Sequence, residues 1–125
     1  MIPLPFLALA LEAPDPAPMR EAVSRCDRTQ MAQLSQAEPR RRADFAAAVY
    51  AEQRAIAAER AVLLNGQGAT PAGQASLATA RAALDARQQQ LDDARTVERA
   101  WRELNDEIRA DFLANCALRR RDDGK

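Results

Sequence analysis

Histidine is absent from this 125-residue chain, and lysine occurs once, as Lys125. The first absence removes the commonest general base and the commonest transition-metal side-chain ligand. Aromatic residues make up 4% of the chain while 29 residues are alanine. Such a core is thin, and folding must lean on helix propensity, close backbone approach and a partner. Neither sign of charge is in excess, with 18 basic and 18 acidic residues and a pI near 6.3. That balance excludes the basic footprint of a general nucleic-acid binder, so nucleic acid is not expected as a partner. Arginine supplies 17 of the basic residues. The Arg and Ala bias reads as the codon composition of a GC-rich bacterial genome.

Cysteine is scarce too. Cys26 and Cys116 stand far apart, which excludes a C-x-x-C redox site and a zinc knuckle. The glycine-bearing segment from Asn65 to Gly73 lacks the spacing of a phosphate loop, and no EF-hand pattern occurs. Carboxylates gather at Asp92-Asp93 and at Glu103, Asp106, Glu107 and Asp111. Positions 103, 107 and 111 share a helix face. They read as solvated or paired with Arg99, Arg102 and Arg109 rather than as a cation site. Arg40-Arg41-Arg42 could meet an anionic surface, but reads as partly neutralised by Glu38 and Glu98. No catalytic residue, cofactor or metal ligand is therefore assigned, and the chain is not expected to be an enzyme.

The opening stretch, residues 1–10 (MIPLPFLALA), is apolar and half of the about 20 residues needed to span a bilayer. Residues 1–10 read instead as a signal peptide, with Ala8 and Ala10 in A-x-A spacing. No lipobox-like cysteine follows. No transmembrane segment is expected after signal removal, and the mature protein is placed in the periplasm or outside the cell. Residues 11–18 form a linker in which Pro14, Pro16 and Pro18 oppose a helix.

What remains, 19–118, predicts an all-α fold: a long antiparallel, coiled-coil-like helical hairpin. Its first arm comprises 19–38 and 39–65, the tip loop 66–70, the second arm 71–118, and a charged tail 119–125 follows. Ser35-x-x-Glu38 is a capping-box match, so either a new helix starts there or a continuous arm kinks near Pro39. The three arginines after Pro39 would oppose the macrodipole of a fresh helix, which favours continuity. Asn65-Gly66 supplies a left-handed stop, and Thr70-Pro71 an N-cap with proline at the first helical position.

Facing residues of a hairpin share a nearly constant sum of residue numbers. Leu63 with Leu77, Ile56 with Leu84 and Val49 with Leu91 do so, as do Pro39 with Trp101 and Met31 with Ile108. Cys26 and Cys116 fall at the same level, which predicts a disulfide near the base of the hairpin. Oppositely charged pairs such as Glu38 with Arg102, Asp44 with Arg95, Glu52 with Arg87, Arg54 with Asp85 and Glu59 with Arg81 support the same register. A second apolar strip on the first arm contains Tyr50, Ala57, Ala61 and Leu64. Two helices bury one stripe each, so this strip marks a self-association face, with a four-helix bundle the simplest product.

The early Cys26 and the Trp101…Cys116 ending resemble small secreted lysozyme-inhibitor-type domains. Those typically carry further cysteines close to the first, which this chain lacks, so no residue role is taken from the resemblance. It implies a small inhibitor as one function. The pattern itself points to an exported, non-enzymatic helical interaction or structural protein of a bacterial cell envelope, acting on a protein partner or as a homodimer. A periplasmic holdase-like chaperone is the alternative.

Overall fold

The computed structural model describes residues 11–66 and 70–123, with side chains described as far as Cys116. It is all-α: α1 (Ala17–Arg25), α2 (Arg28–Asn65) and α3 (Pro71–Asp123). The expected signal segment 1–10, most of the tip (67–69) and the end of the tail lie outside the described residues. Two compact units form. A loop unit contains Leu11 and Phe45–Thr96, and a disulfide unit contains Glu12–Asp44 and the chain from Val97 onward. Both long helices contribute to each unit, and in each they run antiparallel.

In the first arm the break comes earlier than the sequence suggested. α1 ends at Cys26, which takes the left-handed conformation at φ 49° and ψ 42°. Its N–H donates to the Val23 carbonyl at 3.2 Å, and that of Asp27 to the Ala22 carbonyl at 2.9 Å. This is a Schellman stop, with cysteine where glycine is usual. Asp27 then caps α2 through its Oδ1, which accepts the Gln30 N–H at 3.0 Å. The true start signal was thus Asp27-x-x-Gln30, not Ser35-x-x-Glu38. Ser35 lies inside α2, which continues through Pro39 unbroken. Pro18, expected in the linker, occupies the first turn of α1, where a missing N–H costs little; Asp15 accepts the Ala17 N–H at 2.9 Å.

The loop unit is a hairpin. Ile56, Leu84 and Leu91 form its buried centre, with Leu11, Val49 and Leu63 packed against them. Beside this seam the Gln53 and Gln88 amides bond reciprocally at 3.1 and 3.2 Å, and Arg87 donates to Glu52 at 2.8 Å. Thr70 caps α3, its Oγ1 accepting the Gly73 N–H at 3.2 Å. Gly66 does not adopt the expected left-handed conformation; its N–H is shared between the Val62 and Leu63 carbonyls. Some expected charge pairs are replaced by nearer neighbours. Asp85 binds Arg60 rather than Arg54, Glu59 binds Arg87 rather than Arg81, and Arg95 binds Asp92 rather than Asp44. Off the seam, long arginine side chains reach whichever carboxylate is closest, so register does not dictate the partner.

The disulfide unit packs three helical segments. Met19 and Ala22 of α1, Met31 of α2, and Trp101 and Ile108 of α3 form one buried cluster, flanked by Val23, Leu34, Leu104 and Phe112. Cys26 and Cys116 are bonded, with Cα atoms 5.4 Å apart across 90 positions of sequence. Closing a loop of that length stabilises by about 4–5 kcal/mol on loop-entropy grounds. The left-handed backbone at Cys26 costs about 1–2 kcal/mol for a residue bearing a Cβ. We therefore expect Cys26→Gly to unfold at higher denaturant than Cys26→Ala, by about 1 kcal/mol, although both lack the bond. Equal stabilities by urea titration would mean that the turn relaxes once the bond is gone.

Candidate functional site

Three places could carry function: a buried ionic cluster, a buried amide, and uncovered apolar helix faces. The cluster sits in the disulfide unit, beside Pro39. Proline removes the N–H that would donate to the Ser35 carbonyl, at a cost on the order of 3 kcal/mol in a helix interior. Next to it Glu38 is buried and accepts three donors at Oε1: Arg41 Nη2 at 2.7 Å, Trp101 Nε1 at 2.8 Å and Arg42 Nε at 2.9 Å. Arg41 Nε reaches Oε2 at 3.0 Å. The same guanidinium grips Glu98 of α3 with both terminal nitrogens, at 2.9 and 2.8 Å, and lies 5.7 Å from the centre of the Trp101 ring. Arg102 adds a bond to Glu98 at 3.0 Å.

Burial on its own would raise the Glu38 carboxyl. Hydrogen bonds from Arg41, Trp101 and Arg42, with the charge of Arg41, outweigh it and hold the group at about 2. Glu98 is likewise lowered against its burial, by hydrogen bonds from Arg41 and Arg102. Arg41 is raised, chiefly by its bond to Glu38. Two carboxylates held ionised, with their lone pairs occupied, are poorly suited to proton transfer near neutral pH. What they do well is join α2 to α3 within this unit. The sequence indicated that Glu38 and Glu98 would neutralise part of the arginine run, and they do. It missed the Trp101 N–H, and it paired Glu38 with Arg102, which instead turns back one helical turn to Glu98.

The buried amide is Asn105, 2% exposed, with Nδ2 3.3 Å from Met19 Sδ. Its Oδ1 is buried with no hydrogen-bond partner among the described residues. Sulfur is a weak acceptor, so this polar group lowers stability. The carboxylates weighed for a cation, Glu103, Glu107 and Asp111, are all exposed. Among the described residues no three His, Cys, Asp or Glu side chains converge in a metal-binding group.

The apolar faces lie in the loop unit. Tyr50, Ala57, Ala61 and Leu64 are all exposed, Tyr50 and Leu64 each to 64%. On a different side of α2, Val62 is 70% exposed and borders a shallow groove of about 360 Å³ lined also by Glu59, Leu63, Ala80, Ala83, Leu84 and Arg87. No helix among the described residues is long and apolar enough to cross a membrane. Comparison of the chain with protein-family models, with curated proteins and with solved structures found no match.

The ionic cluster sets an acid limit. Because the folded Glu38 carboxyl is depressed from its ordinary 4.5 to about 2, its contribution is complete above about pH 4.5 and is lost as pH falls toward 2. Thermal melts from pH 7 to 2 should show that loss, and Glu38→Gln should flatten this dependence while costing on the order of 3 kcal/mol at pH 7. A Glu38→Gln variant with unchanged acid sensitivity would assign the transition to other carboxylates. Conversely, Asn105→Leu should raise the melting temperature, by an amount corresponding to about 1–2 kcal/mol. A fall would show that the amide has a role in packing that leucine cannot fill.

Proposed function

We propose that this chain is an exported, non-enzymatic helical interaction or structural protein of a bacterial cell envelope. The observation that carries the reading is the Cys26–Cys116 bond. Structural disulfides form and persist in oxidising compartments, and this one joins the two chain segments of its unit. Further support comes from the distribution of polar and apolar groups. The buried carboxylates are engaged with arginines, whereas the apolar residues left uncovered lie along helix faces rather than in a deep pocket. Such faces bind other helices or apolar segments.

The groove bordered by Val62, Leu63, Ala80, Ala83 and Leu84 favours a second reading, a holdase-like chaperone that shelters apolar segments of unfolded clients. A dedicated binder recognises one partner, whereas a holdase suppresses aggregation of unrelated proteins at near-stoichiometric ratios.

Fractionation of natively expressed protein with thiols blocked at lysis tests the leading reading. A non-reducing peptide map should recover a Cys26–Cys116 linked peptide from the envelope fraction. Two free thiols in a cytoplasmic fraction would overturn export and the compartment argument together. Protection of several unrelated clients in a light-scattering assay would move the assignment to the chaperone.

A further inference from the structure

Within the loop unit, Ala47, Tyr50, Arg54, Ala57, Ala61 and Leu64 recur along α2 at alternating spacings of three and four, the rhythm of a coiled-coil seam. All six are exposed. At about 100° per residue the stripe is centred roughly 130° around α2 from Ile56, which marks the seam with α3. The single charged member, Arg54, lies over the Tyr50 ring at 5.7 Å. This spreads its charge against an aromatic face.

Resting on the reading of an interaction protein, we propose that this stripe is covered by the same stripe of a second copy, running antiparallel. The sizes of the side chains select the arrangement. If Leu64 faces the partner's Ala47, then Tyr50 faces the partner's Ala61 and Arg54 faces the partner's Ala57. The two-fold axis repeats these pairings, so every layer sets one long side chain against one alanine. Facing large and small residues interdigitate without voids and let the backbones approach closely. Sliding by one heptad would set Tyr50 against the partner's Arg54 and Ala47 against the partner's Ala57, crowding one layer and emptying the other. A parallel pair would stack Tyr50 on Tyr50 and Arg54 on Arg54. The flanking positions Ala46, Ala51, Gln53, Ala58 and Asn65 carry no charge. Arg60, the charged one, is already paired with Asp85 at 2.9 Å and would face the partner's Ala51.

The contact is isologous and closes on itself, so it yields a dimer and not a filament. Stripe and seam are too far apart around α2 for a square four-helix bundle. The dimer would instead join two loop units edge to edge through their α2 helices. About 27 Å of helix contact lies at the small end of stable interfaces, so a micromolar dissociation constant is expected.

Sedimentation equilibrium of the full disulfide-bonded chain at tens of micromolar tests this. The wild type should be a dimer, and Ala57→Glu with Ala61→Glu a monomer of unchanged helicity. Tyr50→Ala or Ala61→Tyr alone should weaken the dimer roughly tenfold. The two together should restore it, because each layer again holds one tyrosine and one alanine. A monomeric wild type, a dimer that survives both glutamates, or a swap that fails to restore association would overturn the proposal. A monomer that is exported with its bond formed would remove the self-pairing and leave the interaction reading intact. A dimer found reduced in the cytoplasm would support the pairing and sink export.

Discussion

A helix pair buries one stripe from each partner, and in this chain those stripes are short of bulky residues. Among the described residues Phe45, Ile56, Leu84 and Leu91 are the large apolar side chains buried in the loop unit, and five side chains, one of them alanine, form the buried cluster of the disulfide unit. Burial at about 25 cal/mol per Å² yields little from so few large side chains. The remaining devices answer that shortage. A covalent bond restrains the unfolded chain, a dense ionic cluster ties α2 to α3 beside a proline, and alanine-rich surfaces maintain helix propensity where packing does not.

The ionic cluster illustrates how such a core admits charge. A buried ion pair is seldom a net gain over apolar packing, but removing one partner is costly. Here Glu38 receives bonds from Arg41, Arg42 and Trp101, and Glu98 from Arg41 and Arg102. With its acceptors filled, the cluster acts as a directional clasp that apolar side chains could not supply. Asn105 is the contrasting case, a buried amide whose oxygen is left without a partner among the described residues. Its effect is to weaken the unit that the disulfide strengthens.

On the proposed reading of an interaction protein, function enters through what the thin core leaves uncovered. The stripe through Tyr50 and Leu64 and the groove beside Val62 are apolar surfaces of a chain with balanced charge and no histidine. Those properties suit recognition through shape and apolar contact, with selectivity set by how large and small side chains alternate.

Local chemistry and number patterns made much of this legible from residues alone. Thr70-Pro71 starts a helix wherever it stands, because its hydroxyl caps free N–H groups and proline needs none. Ile56 and Leu84 were paired because a hairpin has only one register that buries both stripes, and the same arithmetic brought Cys26 to Cys116. The break in the first arm was not legible. Asp27-x-x-Gln30 and Ser35-x-x-Glu38 are the same local signal, and tertiary context chose between them: Cys26, bonded to Cys116, stands in a left-handed turn directly before Asp27, while Glu38 is drawn into the bonds of Arg41 and Trp101. Nor could sequence tell buried from solvated polar groups on α3. Asn105 and Asp106 are neighbours in the chain, yet Asn105 is buried against Met19 of α1 and Asp106 stays exposed. Periodicity and capping are properties of one helix and can be read from it, whereas burial of a polar side chain depends on which other segment arrives above it.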